Sequence, residues 1–263
     1  MHLIGYFFAV VIGLIMGLIG GGGSILSVPV FVYLFGLDAV SATTFSLFVV
    51  GITSLVGSLG FLKQKLVNFR TAFLFGIPSI LGVIFSRRLV LPHLPDYIIH
   101  RWGITLTKDM FLLMLFAILM LISSYKMIRN TTREGLIKSE KPNYTLLASQ
   151  GLLVGLITGL IGAGGGFLIV PALVMLLGLG MKEAVATSLF IISMNSLLGF
   201  FSSLDKVEVD WRFLLIFSAI SVVGILVGVS VAKKIDGKKL KPAFGWFVLV
   251  MGLYIIIKET LLK

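Results

Sequence analysis

The chain has 263 residues, of which 58% are hydrophobic and 13% charged, and its mean hydropathy is +1.10. Soluble domains carry about 25% charged and about 45–50% apolar residues, so the composition excludes a soluble enzyme or binding module and gives a polytopic membrane protein. The net charge of +11 comes from Lys and Arg placed between apolar segments, which points to topology and lipid headgroups and not to nucleic acid; the absence of Cys excludes disulfides, thiolate metal sites and redox thiols.

Ten apolar segments follow one another. The first, Leu3–Ile19, ends in a glycine run. It lacks a basic start, and its glycine-rich end recurs deep in the chain, so it is read as mature sequence and not as a signal peptide. The second, Ile25–Leu37, is too short to cross a bilayer alone. Val40–Leu62 and Phe69–Phe85 are long enough or nearly so. A polar stretch from Arg87 to Lys108, holding His93 and His100, is expected as an outer loop before Met110–Tyr125. The second half repeats the series as Thr145–Ile161, Phe167–Leu179, Ala184–Leu204, Trp211–Ala232 and Ala243–Ile257. The expected organisation is an N-terminal membrane repeat over 1–127, a charged cytoplasmic linker over 128–143 and a C-terminal membrane repeat over 144–263.

These runs are far longer than the roughly 10-residue strands of a membrane barrel. They predict an all-α fold, in which each helix satisfies its own backbone polar groups. The two halves match at a constant offset of 142 residues: 23 of the 54 positions from 17 to 70 are identical to their counterparts. The match is densest at Gly17-Leu-Ile-Gly-Gly-Gly-Gly-Ser-Ile-Leu-Ser-Val-Pro29 and Gly159-Leu-Ile-Gly-Ala-Gly-Gly-Gly-Phe-Leu-Ile-Val-Pro171. Five segments per half is an odd number, so the halves are expected to be inverted repeats with broken or re-entrant helices at the glycine runs, as is common in secondary transporters. Fourteen of the 22 Lys and Arg fall on one side of this arrangement and eight on the other. The positive-inside bias then puts the linker in the cytoplasm and both termini on the outer side of the cell inner membrane.

Glycines at roughly 1 kcal/mol each relative to Ala do not hold a helix well. Unwound backbone at membrane depth is tolerated only beside protein or a water-filled cavity. Each glycine run is followed by a helix start, whose free N–H groups and positive dipole end form an anion site. The candidate binding residues are therefore Gly22, Gly23 and Ser24 in one copy and Gly164, Gly165 and Gly166 in the other. Thr44, Ser46, Thr187 and Ser188 open the segments behind them, and Asn195 lies near a segment centre with an amide able to donate two hydrogen bonds. Thr53, Ser54, Ser58, Ser193 and Ser196 are further polar positions there. Every Asp and Glu lies at a segment end or in a loop, which argues against a cation substrate. Gly13, Gly17, Gly155, Gly159, Gly224 and Gly228 carry the four-residue spacing of close helix packing. Arg70 and Arg212, each after an aromatic residue, suit interfacial anchors. No catalytic dyad and no cofactor motif is present, so an enzyme is not expected.

With both glycine-rich copies, each followed by the Ala/Thr/Ser runs Ala42-Thr-Thr-Phe-Ser46 and Ala184-Val-Ala-Thr-Ser188, the chain resembles the TauE/SafE family of sulfite exporters and probable membrane transporters. The resemblance covers nearly the whole chain. It implies an inner-membrane permease with duplicated halves, moving small sulfur-containing anions such as sulfite or organosulfonates, or other organic anions. The expected function is an alternating-access carrier of a small anion. A carboxylate carrier and a passive anion channel are the alternatives. The expected partners are the anion and membrane lipids, with association into a homo-oligomer left open.

Overall fold

In the computed structural model of the protein, residues 2–95, 97–101, 104–129, 144–162 and 164–261 are described. Most of the expected linker falls outside them. Ten helices are present among the described residues, five on each side of that linker. The first half contains α1 (His2–Ile19), α2 (Ser24–Phe35), α3 (Ala39–Leu62), α4 (Phe69–His93) and α5 (Lys108–Arg129). The second half contains α6 (Tyr144–Ile161), α7 (Gly166–Leu177), α8 (Met181–Phe201), α9 (Trp211–Ala232) and α10 (Gly237–Leu261). Seven of them, α3, α4, α5, α6, α8, α9 and α10, are long and apolar enough to cross a membrane.

Two features of the polar stretch differ from expectation. The helix begun at Phe69 does not end at Phe85 but continues through a π-helical turn at Ser86–Val90 to His93. The stretch also contains the antiparallel hairpin of β1 (Tyr97–Arg101) and β2 (Ile104–Thr107), with Ile99 opposite Leu106 and Arg101 opposite Ile104. The hairpin leads into α5 and contacts it; the apolar segments themselves are all helical.

Helix ends follow local chemistry that the two halves share. Asn68 caps α4 by accepting from the Thr71 N–H at 3.0 Å, and its counterpart Asp210 caps α9 by accepting from the Phe213 N–H at 3.0 Å. Gly36 and Gly178, also 142 apart, end α2 and α7 at φ 68° and 66°. A left-handed residue there lets the next N–H groups reach back to the Phe31 and Leu173 carbonyls.

Packing repeats at the same offset. Gly13 on α1 lies against the Ser221 carbonyl of α9, and Gly155 on α6 lies against the Ser79 carbonyl of α4. Gly224 on α9 meets Val10 and Leu14, while Gly82 on α4 meets Leu152 and Leu156. Each pair is the other advanced by 142 in one partner and set back by 142 in the other, so the same contact recurs with the halves exchanged. The small residues let backbones touch, which is how helices associate where lipid removes any hydrophobic drive.

The contacts also fix directions. Along α1 and α9, Gly13 meets Ser221 and Gly17 meets Gly228, so these helices run parallel. Along α3 and its counterpart α8, Gly57 meets Leu189, Gly51 meets Leu197 and Leu47 meets Gly199, so equivalent helices run antiparallel. α2 folds back along α1, with Gly23 on Ile12 and Met16 and Phe35 on Gly5. The side chains Phe69, Phe73, Ile77, Leu81, Phe85 and Leu89 form a stripe on α4 that is 48–61% exposed, apolar surface suited to lipid.

Gly13→Val and Gly155→Val should each lower detergent stability by about 1–3 kcal/mol or more, because the new side chain meets backbone that cannot yield. Gly180→Ala, with open space around it, should leave the melting temperature unchanged in the same thermal unfolding assay.

Candidate functional site

The two glycine breaks meet at the centre of the bundle. Gly21 in the first break packs directly on Gly166, the first residue of α7, and either would collide with the other's Cα if it carried a Cβ. Gly20 and Gly162, equivalent by the offset, take φ 76° and 71° and end α1 and α6. From there the copies diverge. The first forms a short 3-10 turn over Gly21–Gly23, whereas the second uses left-handed Gly164 and Gly165 at φ 65° and 76°. Both α2 and α7 start without a side-chain cap. Their N-terminal N–H groups therefore rely on other partners, and the N-terminal end of a helix favours an anion.

α3 and α8 line the breaks. α8 puts Val185 and Ser188 beside Gly20 and Ile192 against Gly21, and α3 puts Thr43 against Gly162 and Val50 against Gly164. The Ser196 hydroxyl also faces Gly164. Ser54 and Ser196 are equivalent by the offset, both are fully buried, and neither hydroxyl has a hydrogen-bond partner among the described residues. Thr53, Ser218 and Ser221 also carry buried hydroxyls of this kind. Buried polar atoms are nearly always paired, so the Ser196 hydroxyl beside Gly164 marks a place where something polar can bind.

The expected site residues do not all converge on that place. Gly166 and Gly164 do, as described. Gly22 lies within the 3-10 turn. Gly23 packs on the α1 backbone at Ile12 and Met16, and Gly165 packs on Thr158, so both are occupied in closing their hairpins. The Ser24 hydroxyl donates to the Gly21 carbonyl at 2.5 Å, and Ser27 and Ser46 share a 2.5 Å hydroxyl–hydroxyl bond that ties α2 to α3. Ser188 donates to the Val185 carbonyl at 2.9 Å within its own helix, beside Gly20. Thr187 faces elsewhere, and its hydroxyl accepts from the Asn68 N–H at 3.0 Å at the start of α4. Asn195 donates its amide to the Ser79 hydroxyl at 2.7 Å across the α4–α8 contact, while its Oδ1 has no partner among the described residues.

Sequence reasoning missed Arg87. Assigned there to an outer loop, it is instead fully buried in the π turn of α4. Its Nη1 donates to the Thr43 and Thr44 hydroxyls at 3.3 Å each, and its guanidinium packs on Gly162. The available signal was a helical apolar pattern that runs past Phe85 without a Gly or Pro stop until Pro92. Glu259 is likewise buried although it stands at a segment end, and it accepts from the Tyr33 hydroxyl at 2.8 Å.

The two ends of the bundle differ. At the end carrying Lys63, Lys182 and Lys233, a cavity of about 220 Å³ lined by Leu18, Gln64, Lys182, Val185 and Lys233 reaches inward to the residue beside Gly20. Subtracting or adding the offset gives Leu160, Val40, Thr43 and Leu91 for four of these positions. Three of them, Leu160, Val40 and Leu91, lie in an apolar cluster with Ala39, Leu112, Leu94 and Phe111. One end thus has a basic vestibule, and at the other the equivalent positions pack with apolar neighbours. Two lateral apolar crevices, of about 390 Å³ and 200 Å³, lie behind Pro29 and Pro171 and face away from the breaks.

A duplicated helical bundle with broken helices meeting at mid-depth, and a vestibule leading toward them, defines a polytopic membrane transporter. Residues 6–255 match the family model described as sulfite exporter TauE/SafE, and the chain belongs to that family. It is 28% identical to a probable membrane transporter protein of Bacillus subtilis, over 94% of this chain and 96% of that protein. Probable membrane transporter proteins of Xylella fastidiosa and Methanocaldococcus jannaschii are each 26% identical, over 93% and 94% of this chain and 91% and 94% of their own lengths. No solved structure matches the chain. The protein is a membrane transporter and not an enzyme.

Ser54→Ala and Ser196→Ala test whether the unpartnered hydroxyls serve binding. Removing an unpaired buried hydroxyl should leave stability unchanged or raise it, while removing one member of the Asn195–Ser79 pair should cost about 1–3 kcal/mol. Thermal unfolding of Ser196→Ala beside Asn195→Ala would separate the two roles, and a destabilised Ser196→Ala would make its hydroxyl structural.

Proposed function

We propose that this transporter is a secondary carrier of small anions, foremost sulfite or organosulfonates, that works by alternating access across the inner membrane. The observation that carries this reading is the abutment of Gly21 and Gly166, which sets the 3-10 turn leading into α2 against the first residue of α7, both helices being uncapped. Aligned peptide dipoles give each helix start a partial positive charge, and Ser54 and Ser196 add hydroxyls that can donate. Gly22, Gly23, Ser24, Thr44, Ser46, Gly164, Gly165, Gly166 and Ser188 lie in or around these breaks and form the proposed binding region, with Thr187 and Asn195 as supports on its α4 side.

The exchange relation at an offset of 142, together with antiparallel α3 and α8, supports two inverted repeats about an axis in the membrane plane. The vestibule on the lysine-bearing side and the apolar packing opposite support a carrier open to one side at a time rather than a continuous pore. By the positive-inside bias, the vestibule faces the cytoplasm and both termini face outward. Rocking of one repeat against the other would exchange the open and sealed ends. The family description of sulfite export supports sulfur oxyanions first, and carboxylates remain the second class.

Thermal unfolding of the purified protein with sulfite, thiosulfate, sulfoacetate, taurine, acetate and pyruvate tests this reading. A ligand at a hundred times its Kd should stabilise by about 2.7 kcal/mol. Selective stabilisation by a sulfur oxyanion or sulfonate is the expected result. Stabilisation by acetate or pyruvate alone would transfer the site to carboxylates, and a flat response across the panel would count against an anion carrier.

A further inference from the structure

We propose that Arg87 sets the charge selectivity of the transporter, forming with Thr43 and Thr44 the wall of the central site at the end opposite the vestibule. The proposal rests on the anion reading above and names a cationic side chain at that site. Arg87 is fully buried among apolar helices. Burying a guanidinium at membrane depth is costly, so an ionisable residue there marks function by default. Its position is unusual in backbone terms as well, since it sits in a π-helical turn, a departure from α-helix that occurs often at functional sites.

The internal duplication supplies the control. A packing role shared by the two halves would need similar residues in both copies. The counterpart of Arg87 is Val229, which packs against Gly17, whereas Arg87 packs on Gly162. The counterparts of Thr43 and Thr44 are Val185 and Ala186, both buried. The scaffold therefore accepts three apolar residues at these positions in one copy and carries two hydroxyls and a guanidinium in the other. The polar set is an addition to one end of the site.

Geometry directs that addition toward the breaks. The Thr43 and Thr44 hydroxyls each accept from Nη1 at 3.3 Å, and Thr43 and the guanidinium both pack on Gly162. Any side chain at 162 would collide with both, so glycine is what admits the arginine to the break. About two turns along α3 from Thr43, Val50 faces Gly164, where Ser196 also enters. An anion arriving by the vestibule would meet the helix starts first and the guanidinium behind them. Arg suits oxyanions because its planar fork can donate two parallel hydrogen bonds.

The test uses thermal-shift titration of the full chain in detergent with thiosulfate, a dianion, and methanesulfonate, a monoanion. Coulomb attraction scales with ligand charge. Arg87→Gln should therefore weaken thiosulfate by about tenfold or more and methanesulfonate clearly less, whereas Arg87→Lys should stay within about fivefold of the parent for both. If Arg87→Gln does not fold, the variant Thr43→Val/Thr44→Ala installs the residues of the other copy and keeps the arginine. It should still weaken thiosulfate by about fivefold to tenfold through loss of the hydroxyls that orient the fork. Equal losses for both anions would make Arg87 a packing residue, and unchanged affinity would remove it from the site. Either result leaves the anion reading standing, because the parent still responds. A parent silent to both anions overturns the proposal from the other direction, by removing the anion itself.

Discussion

Backbone polar groups within a bilayer must be satisfied by the protein, because lipid offers no partner. In this transporter α1 and α6 both stop at mid-structure and α2 and α7 start there, so two sets of helix ends need shelter at the same depth. The contact of Gly21 with Gly166 provides it. Each break is covered by the other and by the long helix of the opposite half, α8 beside Gly20 and Gly21 and α3 beside Gly162 and Gly164. Neither half could bury its own break alone. The close passage of α1 on α9 and of α4 on α6 through small residues serves the same end, since it brings the half-helices near enough for the breaks to meet.

The scaffold contacts recur between the halves at an offset of 142, and other positions depart from that recurrence. The scaffold positions follow it closely: Gly13 and Gly155, Asn68 and Asp210, and Gly36 and Gly178 do the same task in each half. The departures gather along one route through the protein. Val185 and Lys182 at the vestibule correspond to Thr43 and Val40 on the opposite side, and Lys233 corresponds to Leu91. A symmetric bundle would be open or closed at both ends together. Leu91, Leu112 and Ala39 pack together at one end, and Lys182 and Lys233 line a cavity at the other.

Much of this was legible in the sequence. The offset, the short second segment of each half, the glycine breaks and the packing glycines are properties of residue type and spacing. Membrane composition, helix breaking by consecutive glycines and the need for small residues at helix contacts are local rules that act without knowledge of the fold. Thr187 and Asn195 show where such rules stop. Their depth along α8 was readable, but which neighbour they face depends on the rotation of α8 against α4, and both turned out to bond to that helix, at Asn68 and Ser79. Arg87 shows the converse. A pair of arginines after an apolar run reads as a helix end, and only the π turn and the packing of Gly162 and Thr43 around the guanidinium draw it inside.

The sequence by itself determined a duplicated, membrane-embedded helical protein with two unwound points, because hydropathy, glycine runs and repeat spacing are carried by each residue regardless of its neighbours. The tertiary structure decided that the two breaks touch, that Ser54 and Ser196 are buried with hydroxyls that have no partner among the described residues, and that Arg87 stands beside Gly162. Those outcomes depend on which face each helix turns toward residues more than a hundred positions away, and such rotations are set by the summed packing of all ten helices.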